Sequence, residues 1–234
     1  MTILRGHLYA DDGLTSSIRG MHTNMMLMNT HTDNIANFGV PGYQQKQAIV
    51  TSFAEYIGPN AVDEVVNTDI GRLRHSDLPL DVALGTKGYF QRVSKSGTVE
   101  MTRDGRFRLD AEGWMRSLDG KKILGADGAP LRFTTLPKEP NKEVKITTQG
   151  DVELFNPHTG KSTVMGRLAI ANAQGGAVDK VEVRQGYVED SNVMLQDEFV
   201  AFMPLRREFE ANRQMFIVQN DLLSRLIQEL GRTQ

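Results

Sequence analysis

Apolar residues early in the chain recur in alternating steps of four and three: Leu14, Ile18, Met21, Met25 and Met28, then Ile35 after a polar break at Thr32. That spacing draws one stripe along a helix face. The residues between are mostly polar. Asp11 and Asp12 stand where negative charge favours a helix start, and Gly39, Pro41 and Gly42 end it. Toward the other end Phe202, Phe209, Phe216, Leu223 and Leu230 recur every seven residues, with Leu195, Phe199, Leu226 and Ile227 on the same face. This predicts a helix over about residues 195–230, roughly 54 Å long at 1.5 Å per residue. Pro204 either kinks that helix or begins its main part. Arg206, Arg213 and Asn220 take positions where a strict coiled coil is apolar, and a polar residue there can set register or partner number.

The centre has a different period. Apolar residues come in short runs at 81–84, 89–93, 107–109, 144–146 and 167–170. Between the earlier runs stand Ser96-Gly97, Asp104-Gly105, Glu112-Gly113, Asp119-Gly120 and Asp127-Gly128, a series of turn signals that predicts an antiparallel all-β unit. Pro137 and Pro140 mark a loop between its halves. The expected fold is α+β. Long N- and C-terminal helices pack as an antiparallel coiled coil, with a central antiparallel β domain as an excursion between them. The expected boundaries are a discontinuous helical domain at 1–40 and 190–234, an extended linker at 41–68 and a β domain at 69–189.

Composition narrows the function classes. The 234 residues carry a formal net charge of -2, so no basic excess points to a nucleic acid or an anionic membrane. Cysteine is absent, which excludes disulfides, thiolate metal sites and a cysteine nucleophile. The most apolar N-terminal stretch, 25–28, is far short of the roughly 20 residues of a membrane span. The first thirty residues have no apolar core of a cleaved secretory leader, so export would use another route. His7, His22, His31, His75 and His158 show no metal-ligand spacing, and His22 and His31 point to opposite sides of the first helix. The stretch 85–89 has glycine and lysine without phosphate-loop spacing and reads as a turn entering a strand. Asp104, Asp110, Asp119 and Asp127 could suggest a two-carboxylate hydrolase, but three precede glycine and the fourth lies near such a turn, where Asp serves backbone hydrogen bonding. Trp114, the single tryptophan, reads as a packing residue before a binding platform.

Four segments together resemble a known family. Thr32-Asp33-Asn34-Ile35-Ala36-Asn37, followed by Gly39-Val40-Pro41-Gly42-Tyr43, is similar to the N-terminal signature of bacterial flagellar rod and hook proteins. Leu78-Pro79-Leu80-Asp81-Val82-Ala83-Leu84, followed by Gly88-Tyr89-Phe90, resembles a strand of that family. Thr102-Arg103-Asp104-Gly105-Arg106-Phe107 resembles one of its hairpins, and Glu189-Asp190-Ser191-Asn192-Val193 the approach to its C-terminal helix. Order and spacing hold from about residue 12 to 231. Departures are Pro204 within the helix, and His31 and Thr32 where the family has a hydrophobic and a small polar residue. The chain is too short for a hook subunit, and its length with Pro79-Leu80-Asp81-Val82-Ala83-Leu84 favours a rod subunit nearer the proximal than the distal rod protein. The segment 124–131 also occurs in distal ones.

The resemblance implies a structural subunit with no enzymatic activity and no cofactor. Such a subunit assembles with copies of itself and other rod proteins into the helical drive shaft that carries torque from motor to hook. It implies delivery by the flagellar export apparatus to the periplasmic rod of the basal body, with no nucleic acid, small-molecule substrate or membrane insertion. The terminal helices then form the inner layer. Leu14, Ile18, Met21, Met25, Met28, Ile35, Phe199, Phe202, Phe209, Phe216, Leu223 and Leu230 are its expected self-assembly core. The expected family-motif positions are Asn34, Ala36, Asn37, Pro41, Gly42, Tyr43, Pro79, Leu80, Asp81, Thr102, Arg103, Asp104, Gly105, Ser191, Asn192 and Val193. Competing readings are a distal rod or specialised hook–basal-body protein, a coiled-coil adaptor that never polymerises, and a hydrolase.

Overall fold

The computed structural model describes residues 12–50, 62–139, 143–156, 159–178 and 180–232; His7, Asp11, Pro140 and His158 lie outside them. The chain divides into two compact units, one of Met1–Ala36, Gln45–Asn67 and Met194–Gln234, the other of Asn37–Gln44 and Thr68–Val193.

The first unit contains two helices, α1 (Asp12–Asn37) and α2 (Leu195–Arg232), and a hairpin of β1 (Lys46–Val50) and β2 (Val62–Val66). The hairpin strands pair antiparallel from Lys46 opposite Val66 to Val50 opposite Val62. They fall within the 41–68 stretch. Asp197 and Glu198 sit in the first turn of α2, where their charge favours the helix N-terminus. The helix runs through Pro204, which supplies no N–H to the preceding turn.

The expected long coiled-coil pair is not what the helices form. No apolar residue of α1 or α2 is among the buried core residues of the chain; what these helices bury is Ser17, Asn24, Thr30, Asn34 and Glu198. The face that α1 brings closest to α2 carries Gly13 and Gly20. A Cβ at Gly13 would meet Gln219 Nε2 at 2.4 Å, and one at Gly20 would meet Asn212 Nδ2 at 2.7 Å. Gly13, Ser17, Gly20 and Asn24 keep the alternating four–three step but lie one position before Leu14, Ile18, Met21 and Met25. One residue is about 100° around a helix, so the covered face is rotated off the apolar stripe. Glycine, serine and asparagine have little side chain to interdigitate, so knobs-into-holes packing has nothing to work with there.

The second unit is all β. Its largest sheet has the order β13 (Ile170–Ala171), β5 (Tyr89–Val93), β9 (Lys122–Ile123), β8 (Met115–Ser117) and β7 (Phe107–Leu109), with β6 (Val99–Thr102) also on β5. A three-stranded sheet holds β10 (Val144–Ile146), β11 (Asp151–Asn156) and β12 (Lys161–Arg167). Two further pairs join distant segments: β3 (Leu73–His75) with β15 (Tyr187–Glu189), and β4 (Val82–Leu84) with β14 (Val183–Gln185). Every strand pairing is antiparallel. Gly97, Gly113, Gly120 and Gly128 take positive φ at the predicted turns, a conformation that side-chain-bearing residues resist.

Period-2 alternation sets the buried face of this unit. Met115 and Ser117 are buried around half-buried Arg116, and Val144 and Ile146 around exposed Lys145. Val82, Leu84, Phe90, Phe107, Met115, Ile123, Val152 and Val183 form the centre of the core. Phe90 and Phe107 meet edge to face at 5.1 Å, a geometry that adds to their area burial.

Candidate assembly site

In the first unit the polar side chains converge on Glu198, which is 1% exposed. Asn34 Nδ2 donates to Glu198 Oε1 at 3.1 Å, and Gln45 Nε2 donates to the same oxygen at 2.6 Å. His31 Nδ1 lies 2.6 Å from Oε2. With its proton on Nδ1 the imidazole is the donor in this pair. Asn34 also clasps the backbone of Lys46, donating to its carbonyl at 2.8 Å and accepting from its N–H at 2.9 Å. Thr30 Oγ1 donates to Glu64 Oε1 at 2.9 Å, and Lys46 Nζ lies 3.3 Å from Glu64 Oε2. One carboxylate thus ties α2 to α1 and to Gln45, while Asn34 and Thr30 tie α1 to the hairpin. Asn34 was visible as a motif residue. Glu198, Gln45 and the pairing of His31 were not, because their partners lie 153–167 positions away.

Around this polar interior the unit leaves apolar side chains open. On α2 these include Val200 at 73%, Leu226 at 57% and Leu230 at 70% exposure; the hairpin adds Ile49, Val50, Val65 and Val66. Of the expected assembly residues, Leu14, Ile18, Met21, Met28, Ile35, Phe202, Phe209 and Phe216 are half-buried, and Met25, Phe199, Leu223 and Leu230 are exposed. A single chain buries none of the twelve fully.

Apart from Ala36, the other motif residues lie in the β-rich unit, which holds a second buried pair. Arg103 and Glu189 have side chains 1% and 2% exposed, with Arg103 Nη2 at 2.6 Å and Nε at 2.7 Å from Glu189 Oε2. Arg103 also donates to the carbonyls of Leu84, Thr86 and Gly88, and Glu189 Oε1 accepts from Gly71 N–H. Both partners are therefore satisfied, as burial requires. Gly42 N–H donates to Glu189 O at 2.8 Å, Asn192 N–H to Tyr43 O at 3.4 Å and Asn192 Nδ2 to Asp69 O at 2.9 Å. Leu80 and Val193 are buried in the apolar interior, and Asp81 accepts from Ser76 Oγ. Thr102 Oγ1 caps Asp104 N–H, and Asp104 binds the Arg106 guanidinium. Pro79 O accepts from Gln185, Ser191 Oγ accepts from Val193 N–H, Asn37 O accepts from Val40 N–H, and Ala36 and Pro41 make no side-chain hydrogen bond. These residues place turns and strand ends.

Gly105 is the tightest of them. A Cβ there would lie 1.7 Å from the carbonyl oxygen of Val82, a backbone atom of β4. Gly105→Ala is expected to destabilise the β-rich unit by more than about 2 kcal/mol. Gly97→Ala, where the added Cβ meets nothing within 4 Å and only positive φ is strained, costs about 1 kcal/mol. Urea midpoints of the two variants test the ranking, and equal midpoints would refute it.

Three of the four suspected hydrolase carboxylates sit in turn chemistry, whereas Asp119 accepts from Ser117 Oγ and pairs with Arg92 and Lys121. Asp104 Oδ1 accepts from Arg106 N–H, Asp110 Oδ1 from Glu112 and Trp114 N–H, and Asp127 Oδ1 from Ala129 N–H. Desolvation pushes the Asp110 carboxyl upward, but the Arg116 side chain and the Trp114 and Glu112 amides outweigh it and hold it below its ordinary range. Among the described residues no group of His, Asp or Glu is arranged to hold a metal, and no helix is long and apolar enough to cross a membrane.

Comparison with known proteins bears on both units. Residues 83–154 match the model of the flagellar hook protein FlgE/F/G D1 domain. Residues 184–229 match that of the flagellar basal body rod FlgEFG protein C-terminal region. Among similar proteins, the flagellar basal-body rod protein FlgG of Buchnera aphidicola subsp. Schizaphis graminum is 24% identical over 249 residues, covering 89% of this chain and 96% of that protein. The flagellar basal-body rod protein FlgF of Mesorhizobium japonicum is 27% identical over 200 residues, covering 78% and 83%. The FlgG of Bacillus subtilis is 22% identical over 262 residues, covering 92% and 97%.

Proposed function

The chain belongs to the flagellar basal-body rod family, and from that premise we infer that it is a rod subunit that polymerises with its own copies and other rod proteins into the shaft carrying torque from motor to hook. It works as structural material and not as a catalyst. The flagellar export apparatus delivers it, and the rod it joins lies in the periplasm.

The observation that carries this reading is the apolar face of α2 left open in a single chain, with Leu223, Leu226, Ile227 and Leu230 all exposed. Exposed apolar surface of this extent marks an interaction site. A contact that repeats head to tail without closing generates a filament. The half-buried Phe202, Phe209 and Phe216 and the exposed Phe199, Leu223 and Leu230 then complete their burial against neighbouring subunits.

Phe209→Asp and Leu226→Asp, each expressed in a strain lacking the native subunit, are expected to abolish rod formation and swimming. Because Leu226 is exposed, its variant should keep the urea transition of the β-rich unit unchanged. Rods of normal length in purified basal bodies from the Leu226→Asp strain would overturn the assignment of this face.

A further inference from the structure

We propose that the β-rich unit carries an oxyanion-binding pocket centred on Lys122, beyond its role as a rod subunit. The strand register sets Arg108 opposite Arg116, and Arg116 opposite Lys122, so three cations stand abreast on β7, β8 and β9. Their chain neighbours Phe107, Met115 and Ile123 are buried, which puts the three cations on the face away from the core. Like charges directly opposite on neighbouring strands destabilise a sheet. Among the described residues, one carboxylate answers them: Asp110, on Arg116. Among the described residues none pairs with Lys95, Arg108 or Lys122. The core-side rim of the same sheet differs, for there Arg92 and Lys121 are matched by Glu100 and Asp119.

The local shape suits a ligand. Lys122 Nζ rests 3.9 Å from the centroid of the Trp114 ring, which holds the ammonium in place and occupies none of its N–H donors with an acceptor. Beside it lies a depression of about 390 Å³ lined by Lys95, Arg116 and Lys122 and by the turns at Gly97 and Gly120. A Cβ at either glycine would meet nothing within 4 Å, so both turns are open to approach. A carboxylate or phosphate group placed there accepts from Lys122 and Lys95 and offsets the uncompensated row. The shared chemistry is an oxyanion, supplied either by an acidic protein segment or by a free phosphate-type anion.

The test is a titration of the isotope-labelled full chain with inorganic phosphate and, separately, poly-L-glutamate, at constant ionic strength, followed by amide NMR. Saturable shifts at Lys122, Gly97 and Gly120 are expected, with affinity falling about tenfold in Lys122→Gln, the effect of one lost charged hydrogen bond. Lys161→Gln, the same charge change on β12, should leave the affinity as it was. Response to phosphate alone identifies a free anion, response to polyglutamate alone an acidic segment, and response to both a general oxyanion pocket. If Lys122→Gln does not give a folded spectrum, Lys95→Gln on the exposed turn takes its place. No saturable shift with either probe, or equal weakening in Lys161→Gln, overturns the proposal.

Discussion

Arg103→Met is expected to cost the β-rich unit about 3–5 kcal/mol, because it leaves the Glu189 carboxylate buried without its cation. Glu189→Leu should cost a similar amount by stranding the guanidinium. The pair is 1% and 2% exposed, so water cannot substitute for the missing partner. The double variant should be less damaging than the sum of the singles, since two uncompensated charges disappear together. It should still fall short of the native chain, because the carbonyls of Leu84, Thr86 and Gly88 lose the donor that Arg103 supplied. Trp114 is the single tryptophan and lies in this unit, so its fluorescence in urea reads the transition without signal from the helices. Single variants within about 1 kcal/mol of native would mean the pair is not what holds these segments.

Glu198→Leu is expected to loosen the other unit and leave the Trp114 transition alone. The substitution strips His31, Asn34 and Gln45 of a common acceptor inside a buried site. A loss on the order of 3 kcal/mol follows from stranding those donors, or roughly a hundredfold faster amide exchange along α1. Glu198→Gln keeps the shape and one acceptor oxygen and should fall between. Unchanged exchange at residues 24–37 in Glu198→Leu would show that the cluster is not what docks α1.

The parts of this fold that were legible in the sequence share a local cause. Gly97, Gly113, Gly120 and Gly128 announce turns because positive φ is a property of one residue. The short β strands follow from runs between them, and helix α2 is visible from its seven-residue repeat. The helix seam was misread for an equally physical reason. A repeat of Gly13, Ser17, Gly20 and Asn24 has the same period as Leu14, Ile18, Met21 and Met25, and hydrophobicity picks the second. Close approach of backbones selects the first. Strands β1 and β2 do not alternate apolar with polar, and Ile49, Val50, Val65 and Val66 all remain exposed. The two buried carboxylates were hidden because each is defined by partners far away: Arg103 stands 86 positions before Glu189. Of the motif residues, sequence resemblance located Asn34 and Arg103 but said nothing of what each one holds.

The wide separation of the Glu198 contacts has a consequence for incomplete chains. Every strand of the β-rich unit is contained in residues 68–193, whereas α1 must wait for a carboxylate 164 positions beyond Asn34. Contacts that distant form only after the intervening chain has been delivered. A product cut short before residue 198 therefore holds every strand of the β-rich unit but lacks the carboxylate that ties α1 to α2, leaving α1 only its Asn34 and Thr30 contacts with the hairpin. The stretch that opens α2 is thus a keystone for one unit alone: its loss frees α1 from that carboxylate, while every strand of the other unit keeps its partners within residues 68–193.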